Sequence, residues 1–155
     1  MTLPSTTPVI AAPDLRSALR TLRNHGLRLS AARRVVLEAL YAADGPLSAE
    51  QIAAGLGGRV PRSDVASVYR NLETFERLGI ARHVHLAHSP SLYTIAAEGE
   101  REYLTCQRCA EFKALAPEEL WEVRSMIRAK FGYRAKFSHF PIVGLCASCA
   151  EEVGR

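Results

Sequence analysis

Apolar residues recur at helical spacing through the first half of the chain, and the period changes after Gly79. Asp14 can cap a first helix with the apolar stripe Leu15, Ala18, Leu19 and Leu22, and Gly26 supplies a stop. Ser30 can cap a second that buries Val36 and Leu40 and ends near Asp44-Gly45-Pro46. Ser48 and Gln51 stand at capping-box spacing and predict a short third helix that stops at Gly57-Gly58. Ser63 is the predicted cap of a fourth, running to about Leu78 with Val65, Val68, Leu72 and Phe75 facing inward. Beyond Gly79, residues 80–86 alternate, His88-Ser89-Pro90 makes a turn, and Leu92 to Ile95 return, which predicts a hairpin. Helices followed by a hairpin is the order of a winged helix-turn-helix. The third helix would be the supporting one and the fourth would lie in the major groove.

Ala96 to Gly99 reads as a hinge. Beyond it the pattern predicts strands at 103–106 and 111–115, a helix over 117–131, and a strand at 135–140. Leu120, Val123, Ile127 and Phe131 form the stripe of that helix, with Pro117 in its first turn and Gly132 as its stop. The expected fold class is α+β. A flexible arm (1–13) would precede a winged-helix domain (14–96), a hinge (97–99) and a small α/β domain (100–155). The last domain is small to stand alone, and a metal staple and dimerisation would each remedy that.

Composition is ordinary for a globular chain, with 48% hydrophobic and 23% charged residues. The first 13 residues lack the basic and apolar regions of an export signal, and no apolar run is long enough for a membrane span, so a cytoplasmic protein is expected. Net charge is +4, and the excess lies in residues 1–97, which carry 11 Lys+Arg against 7 Asp+Glu. It is densest where Arg16, Arg20, Arg23, Arg28, Arg33 and Arg34 face no acid in between. Arginine suits bidentate phosphate contact, so this half is a candidate nucleic-acid face. A solvated helix surface is the plainer alternative.

Cys106-Gln-Arg-Cys109 and Cys146-Ala-Ser-Cys149 contain all four cysteines. Two residues between thiolates let each pair grip one tetrahedral ion, and two such knuckles complete a four-sulfur zinc shell. In a reducing compartment this reading is favoured over disulfides. A whole substructure lies between Cys109 and Cys146, so the metal would hold a domain together. The predicted fourth helix presents Ser63, Ser67, Tyr69, Arg70 and Thr74 outward. Arg70 can reach a guanine edge or a phosphate, and Tyr69 a thymine methyl or a phosphate. His83 and His85, two apart on a strand, would project from one face, with His88 in the turn beyond and His139 ahead of the second knuckle. Imidazole is a ligand for zinc, nickel, copper and iron(II). His25, at a helix end before Gly26, reads as structural.

Leu27-Arg-Leu-Ser30 with Arg33, Ser67-Val-Tyr-Arg-Asn-Leu72, Leu78-Gly-Ile80, Leu104-Thr-Cys106-Gln-Arg-Cys109 and Gly144-Leu-Cys146-Ala-Ser-Cys149 together resemble the ferric uptake regulator (Fur) superfamily over residues 14–152. The resemblance implies a metal-dependent, DNA-binding homodimer with an N-terminal winged helix, a C-terminal dimerisation domain and a four-cysteine structural zinc. It also implies that Tyr69 and Arg70 meet the DNA operator, with Arg28 and Arg33 along its backbone or a groove. The chain departs from the family ahead of the first knuckle, where Glu98-Gly-Glu-Arg-Glu-Tyr103 replaces a run of histidines, and in helix two, where Arg34 stands at or near a ligand histidine. The usual sensory site therefore does not carry over, because an arginine will not ligate a metal.

Arg82-His-Val-His-Leu-Ala-His88 and Ser138-His-Phe-Pro-Ile-Val-Gly144 instead resemble the nickel-responsive (Nur) branch. That resemblance implies a sensory role for His83, His85 and His139; His88 matches a branch histidine as well, and Glu102, or else Glu100, is the expected added carboxylate. The expected protein is a regulator, not an enzyme: a repressor controlling metal homeostasis, with zinc in the cysteines. Nickel or zinc is favoured at the sensory site, ahead of iron(II) or manganese(II). A metal held across the hinge would select the DNA-binding conformation. The alternatives are a peroxide-sensing repressor of the same family, a zinc-ribbon interaction module without DNA binding, and a thiol-disulfide oxidoreductase. The last needs a CxxC that opens a helix, which neither pair is expected to do.

Overall fold

The computed structural model describes residues 8–85, 90–98, 101–137 and 141–154. They fall into two compact units, one drawn from 1–84 with 91–99 and the other from 85–90 with 100–155.

The first unit contains α1 (Leu15–Asn24), α2 (Ala31–Ala42), β1 (Leu47–Ser48), α3 (Ala49–Ala53), α4 (Val65–Arg77), β2 (Ala81–Val84) and β3 (Leu92–Ile95). The helix starts follow from their caps. Asp14 accepts from the Ser17 amide at 2.7 Å, and Ser30 from the Arg33 amide at 3.2 Å. Ser48 and Gln51 form both halves of a capping box, at 3.1 and 2.8 Å. At α4 the expected cap, Ser63, is displaced by one residue: the Asp64 carboxylate accepts from the Ser67 amide at 2.8 Å. A carboxylate is the stronger acceptor and gains further from the positive helix end.

Leu22, Val36, Leu37, Ile52, Val68, Leu72, Phe75, Ile80 and Ile95 are almost fully buried and make the core. Val65, expected inside, is 39% exposed, and Asn71 takes an inner position instead. The periodicity gave no sign of β1, because two residues show no alternation. It pairs antiparallel with β3 (Leu47 with Tyr93), giving the sheet order β1-β3-β2. Strand β2 is shorter than predicted and ends at Val84, so His85 does not continue it.

Residues 8–13, expected to belong to a flexible arm, are docked. Ala12 is fully buried and its carbonyl accepts from the Tyr41 hydroxyl at 2.6 Å. The Ile10 amide donates to the Gly79 carbonyl at 3.0 Å. Gly79 has φ +72°, and a Cβ there would meet the Pro8 carbonyl oxygen at 2.0 Å.

In the second unit, β4 (Glu102–Cys106) pairs antiparallel with β5 (Phe112–Leu115) and parallel with β6 (Ile142–Gly144). The strand expected over 135–140 is not found at 135–137, and 138–140 lie outside the described residues; the strand stands at 142–144 instead. The predicted helix over 117–131 is a 3-10 turn followed by α5 (Trp121–Phe131). A short α6 (Ala147–Val153) closes the described chain. Leu120 is buried, but no residue within α5 is, and Trp121, Met126 and Phe131 are 68%, 67% and 63% exposed. The predicted stripe of Val123, Ile127 and Phe131 is therefore not closed over by this unit.

Gly79→Ala should lower stability by at least about 1–2 kcal/mol from the left-handed backbone alone, and expel the arm. Urea unfolding of the first unit, with limited proteolysis of the arm, measures both. Unchanged stability and an equally protected arm would refute the docking described.

Candidate metal centres and nucleic-acid face

The parallel pairing of β4 with β6 brings the two cysteine pairs together. Cys106, the last residue of β4, stands opposite Gly144, and the Gln107 amide donates to the Gly144 carbonyl at 2.9 Å. The first knuckle turns back through the Ala110 amide onto the Cys106 carbonyl at 3.0 Å, and the Cys106 amide onto the Glu111 carbonyl at 2.8 Å. The second pair is placed by α6, with Cys146 as its N-cap and Cys149 in its first turn. This corrects the expectation that neither pair opens a helix. The redox reading does not gain from it, since a dithiol couple uses two sulfurs and here four converge.

All four cysteines are free, and their sulfurs lie within 4.8 Å of one another. Cys109 and Cys146 Sγ are 3.8 Å apart. Zinc–sulfur bonds of about 2.3 Å in a tetrahedron require sulfurs about 3.8 Å apart, so the donor set fits. The Cys109 amide, then those of Cys146 and Arg108, hold the Cys106 thiol down to about 6, while the hydrogen bond that the Cys149 thiol donates to the Cys146 sulfur, and then burial, push Cys149 up to about 12. The shell resists becoming four thiolates without a cation. Zinc would supply that compensation, and its binding energy there is folding energy.

The expected sensory residues are not assembled among the described residues. His88 and His139, with Glu100, lie outside them. His85 is half-buried in the coil after β2, so the expectation that it shares a strand face with His83 does not hold. His83 is on β2, with its ring edge-on to Tyr93 (6.4 Å between centroids) and its Nδ1 against Glu76 Oε1. The Glu76 oxygen also accepts from the His83 backbone amide at 3.0 Å. Burial first, and then the Glu76 charge, push the Tyr93 phenol up to about 12. Glu102 is 3% exposed and engaged elsewhere: it pairs with Arg124 and accepts from the Phe137 amide at 3.3 Å. A carboxylate so committed is poorly placed to serve as an added ligand.

On α4, Tyr69 and Arg70 are exposed and Ser63 and Ser67 half-buried. The Tyr69 hydroxyl donates to Glu50 on α3 at 2.9 Å. That bond raises the Tyr69 pKa; Glu50 is lowered by its own backbone amide and then by Tyr69. Arg28 is exposed. Arg33 is engaged within the fold, where Nε donates to Asn71 at 3.1 Å and Nη1 to the Arg28 carbonyl at 2.5 Å. It braces α2 against α4, since Asn71 is anchored in turn to the Ser67 carbonyl at 2.9 Å. Glu50 and Glu76 were missed by sequence reasoning. Their partners, Tyr69 and His83, stand on other elements, and each carboxylate alone reads as solvated helix surface.

Residues 24–140 match the Ferric uptake regulator family. The chain belongs to that family. Its members are metal-responsive transcription regulators, not enzymes; they bind DNA and are dimeric. The peroxide operon regulator of Bacillus subtilis is 26% identical, covering 92% of this chain and 98% of its own. The ferric uptake regulator of Helicobacter pylori, described as having three functional metal-binding sites, superposes with a TM-score of 0.69 at 23% identity, over 88% of this chain and 91% of that one. A zinc uptake regulator solved with zinc and DNA gives a TM-score of 0.51 at 24% identity, over 91% and 95%. These relatives are ferric, peroxide and zinc regulators, so the finer resemblance to the nickel branch stands as a proposal. Among the described residues no helix is long and apolar enough to cross a membrane.

If the four sulfurs hold zinc, thiol titration of this Fur-family chain should find them unreactive until a chelator is added, and then four reactive thiols. The second unit should lose its circular dichroism signal in step. Free reaction without chelator would exclude the metal site.

Proposed function

We propose that the protein is a metal-dependent repressor controlling metal homeostasis, acting as a cytoplasmic homodimer on an operator in double-stranded DNA. In this reading α1–α4 and the β2–β3 hairpin are a winged helix-turn-helix, and α4 is the recognition helix. The observation that carries it is the two-sided character of α4: Val68, Leu72 and Phe75 are fully buried while Tyr69 and Arg70 face solvent. A helix fixed by its inner face can present its outer face to base edges and phosphates. Arg28, Ser63 and Ser67 are further contacts in this reading. Arg33 supports it as a brace that sets the angle of α4.

The dimer is supported by the uncovered apolar surface of the second unit. Trp121, Met126, Phe131, Tyr133 and Val143 are all more than half exposed on a unit with few buried side chains of its own. Surface of that kind is characteristic of an interface. A dimer also matches the two-fold symmetry of a two-half-site operator, whose major grooves are about 34 Å apart.

His83, His85 and His139 are the proposed sensory ligands, with nickel or zinc as the metal. The support is their residue pattern, together with Arg101 and Tyr103 in the stretch where relatives carry ligand histidines. A tenfold gain in operator affinity needs only about 1.4 kcal/mol of differential binding. Peroxide sensing through an iron-loaded site is the second reading, favoured by the peroxide operon regulator's match over nearly the whole chain.

Salt-dependent gel shifts on operator DNA, with and without Ni(II), Zn(II) or Fe(II), test the regulator reading. Metal should tighten binding at least tenfold, and His83→Ala or His139→Ala should abolish that gain while leaving the four-cysteine zinc in place. Both variants keeping metal-dependent binding would refute the sensory site, and no binding under any metal would refute the regulator. Loss of binding on treating only the Fe(II) form with peroxide would select the second reading. In sedimentation, Phe131→Glu should shift the dimer toward monomer; an unchanged dimer would place the interface elsewhere.

A further inference from the structure

The geometry points to Glu76 as the positioning residue that sets how His83 can ligate a metal and links that ligand to the recognition helix. This rests on the proposed sensory role of His83. Glu76 is the penultimate residue of α4, whose chain reverses at Gly79 and returns as β2. The reversal sets the Glu76 carboxylate against His83. One oxygen, Oε1, accepts from the His83 backbone amide at 3.0 Å and also meets the ring at Nδ1. Tyr93, the cross-strand partner of His83 on β3, meets the ring edge-on.

A carboxylate acceptor facing Nδ1 keeps a proton on that nitrogen. Ligation then falls to Nε2, and the carboxylate makes the ring more electron-rich. Partners of this kind fix tautomer and ring orientation, and their loss commonly lowers metal affinity about 10–100-fold. The same carboxylate belongs to the helix that carries Tyr69 and Arg70. Displacement of the His83 ring on metal binding is thereby felt at the end of the recognition helix, with a single side chain between.

The test uses full-length dimer with its cysteines zinc-loaded, titrated with Ni(II) and separately with Zn(II) against a competing chelator. Wild type is compared with Glu76→Ala, Glu76→Gln and His83→Ala, and imidazole nitrogens are followed by 15N NMR in the metal-free protein. Wild-type His83 should show its proton on Nδ1. Glu76→Ala should scramble that tautomer and weaken metal binding about 10–100-fold. Glu76→Gln should recover part of the loss, since an amide oxygen still accepts from Nδ1–H; a merely structural defect would leave the tautomer unchanged.

Glu76→Ala with unchanged affinity, where His83→Ala abolishes binding, would overturn this inference and leave the sensory reading standing. A Glu76→Gln loss as deep as that of His83→Ala would also overturn it, by making Glu76 a ligand itself. Unchanged metal binding in His83→Ala would overturn the sensory reading and this inference with it.

Discussion

The register of β4 against β6 decides where the four sulfurs stand. Cys106 ends one strand opposite Gly144 in the other, and the chain beyond each strand turns into a knuckle. A one-residue slip would turn Cys106 to the opposite face of the sheet and separate the pairs. Among its described residues the second unit has three short strands and two α-helices around a handful of buried side chains. Holding that register by backbone hydrogen bonds alone would be marginal for so small a core. A dication drawing four thiolates together would act on the same strand ends, so a metal held there and the sheet would stabilise one another.

The two units meet their stability demands differently. The first closes its own core, with every layer from Leu22 to Ile95 excluded from water. Polar braces within it, Arg33 to Asn71 and Glu76 to His83, fix the angles of α4 rather than add to the core. The second leaves α5 without a buried residue. Its apolar surface is large for a free monomer and reasonable for half of a dimer. Rigidity where a helix must be aimed, and open surface where a partner must dock, are consistent with a DNA-binding regulator of this family.

Much of the fold could be read along the chain, because the caps and the periods agree with the tertiary packing. Ser48 with Gln51, Asp14 and Ser30 each cap as expected. The four-cysteine centre was legible too, since a CxxC spacing constrains geometry over a few residues. The failures share another cause. Asp64 in place of Ser63, Asn71 inside and Val65 outside, and the shift of a strand from 135–140 to 142–144 all depend on which neighbour a residue meets. The bonds of Arg33 to Asn71 and to the Arg28 carbonyl could not be read in advance, because an isolated arginine offers no hint of its acceptor. The ion pair of Glu102 could not be read either, because Arg124, its partner across the unit, is far away in the chain.

Local patterning thus gave the four N-terminal helices and the hairpin that follows them, the family resemblance, the basic half and the pairing of the cysteines. These depend on spacings of two to four residues and on summed charge, which survive any packing. Tertiary structure settled the convergence of the two knuckles, the half-buried brace of Arg33, the ion pair of Glu102 and the clasp of Glu76 on His83. Each of these joins groups brought together by a chain reversal or a sheet register, and a hydrogen bond forms only when donor and acceptor come within about 3 Å.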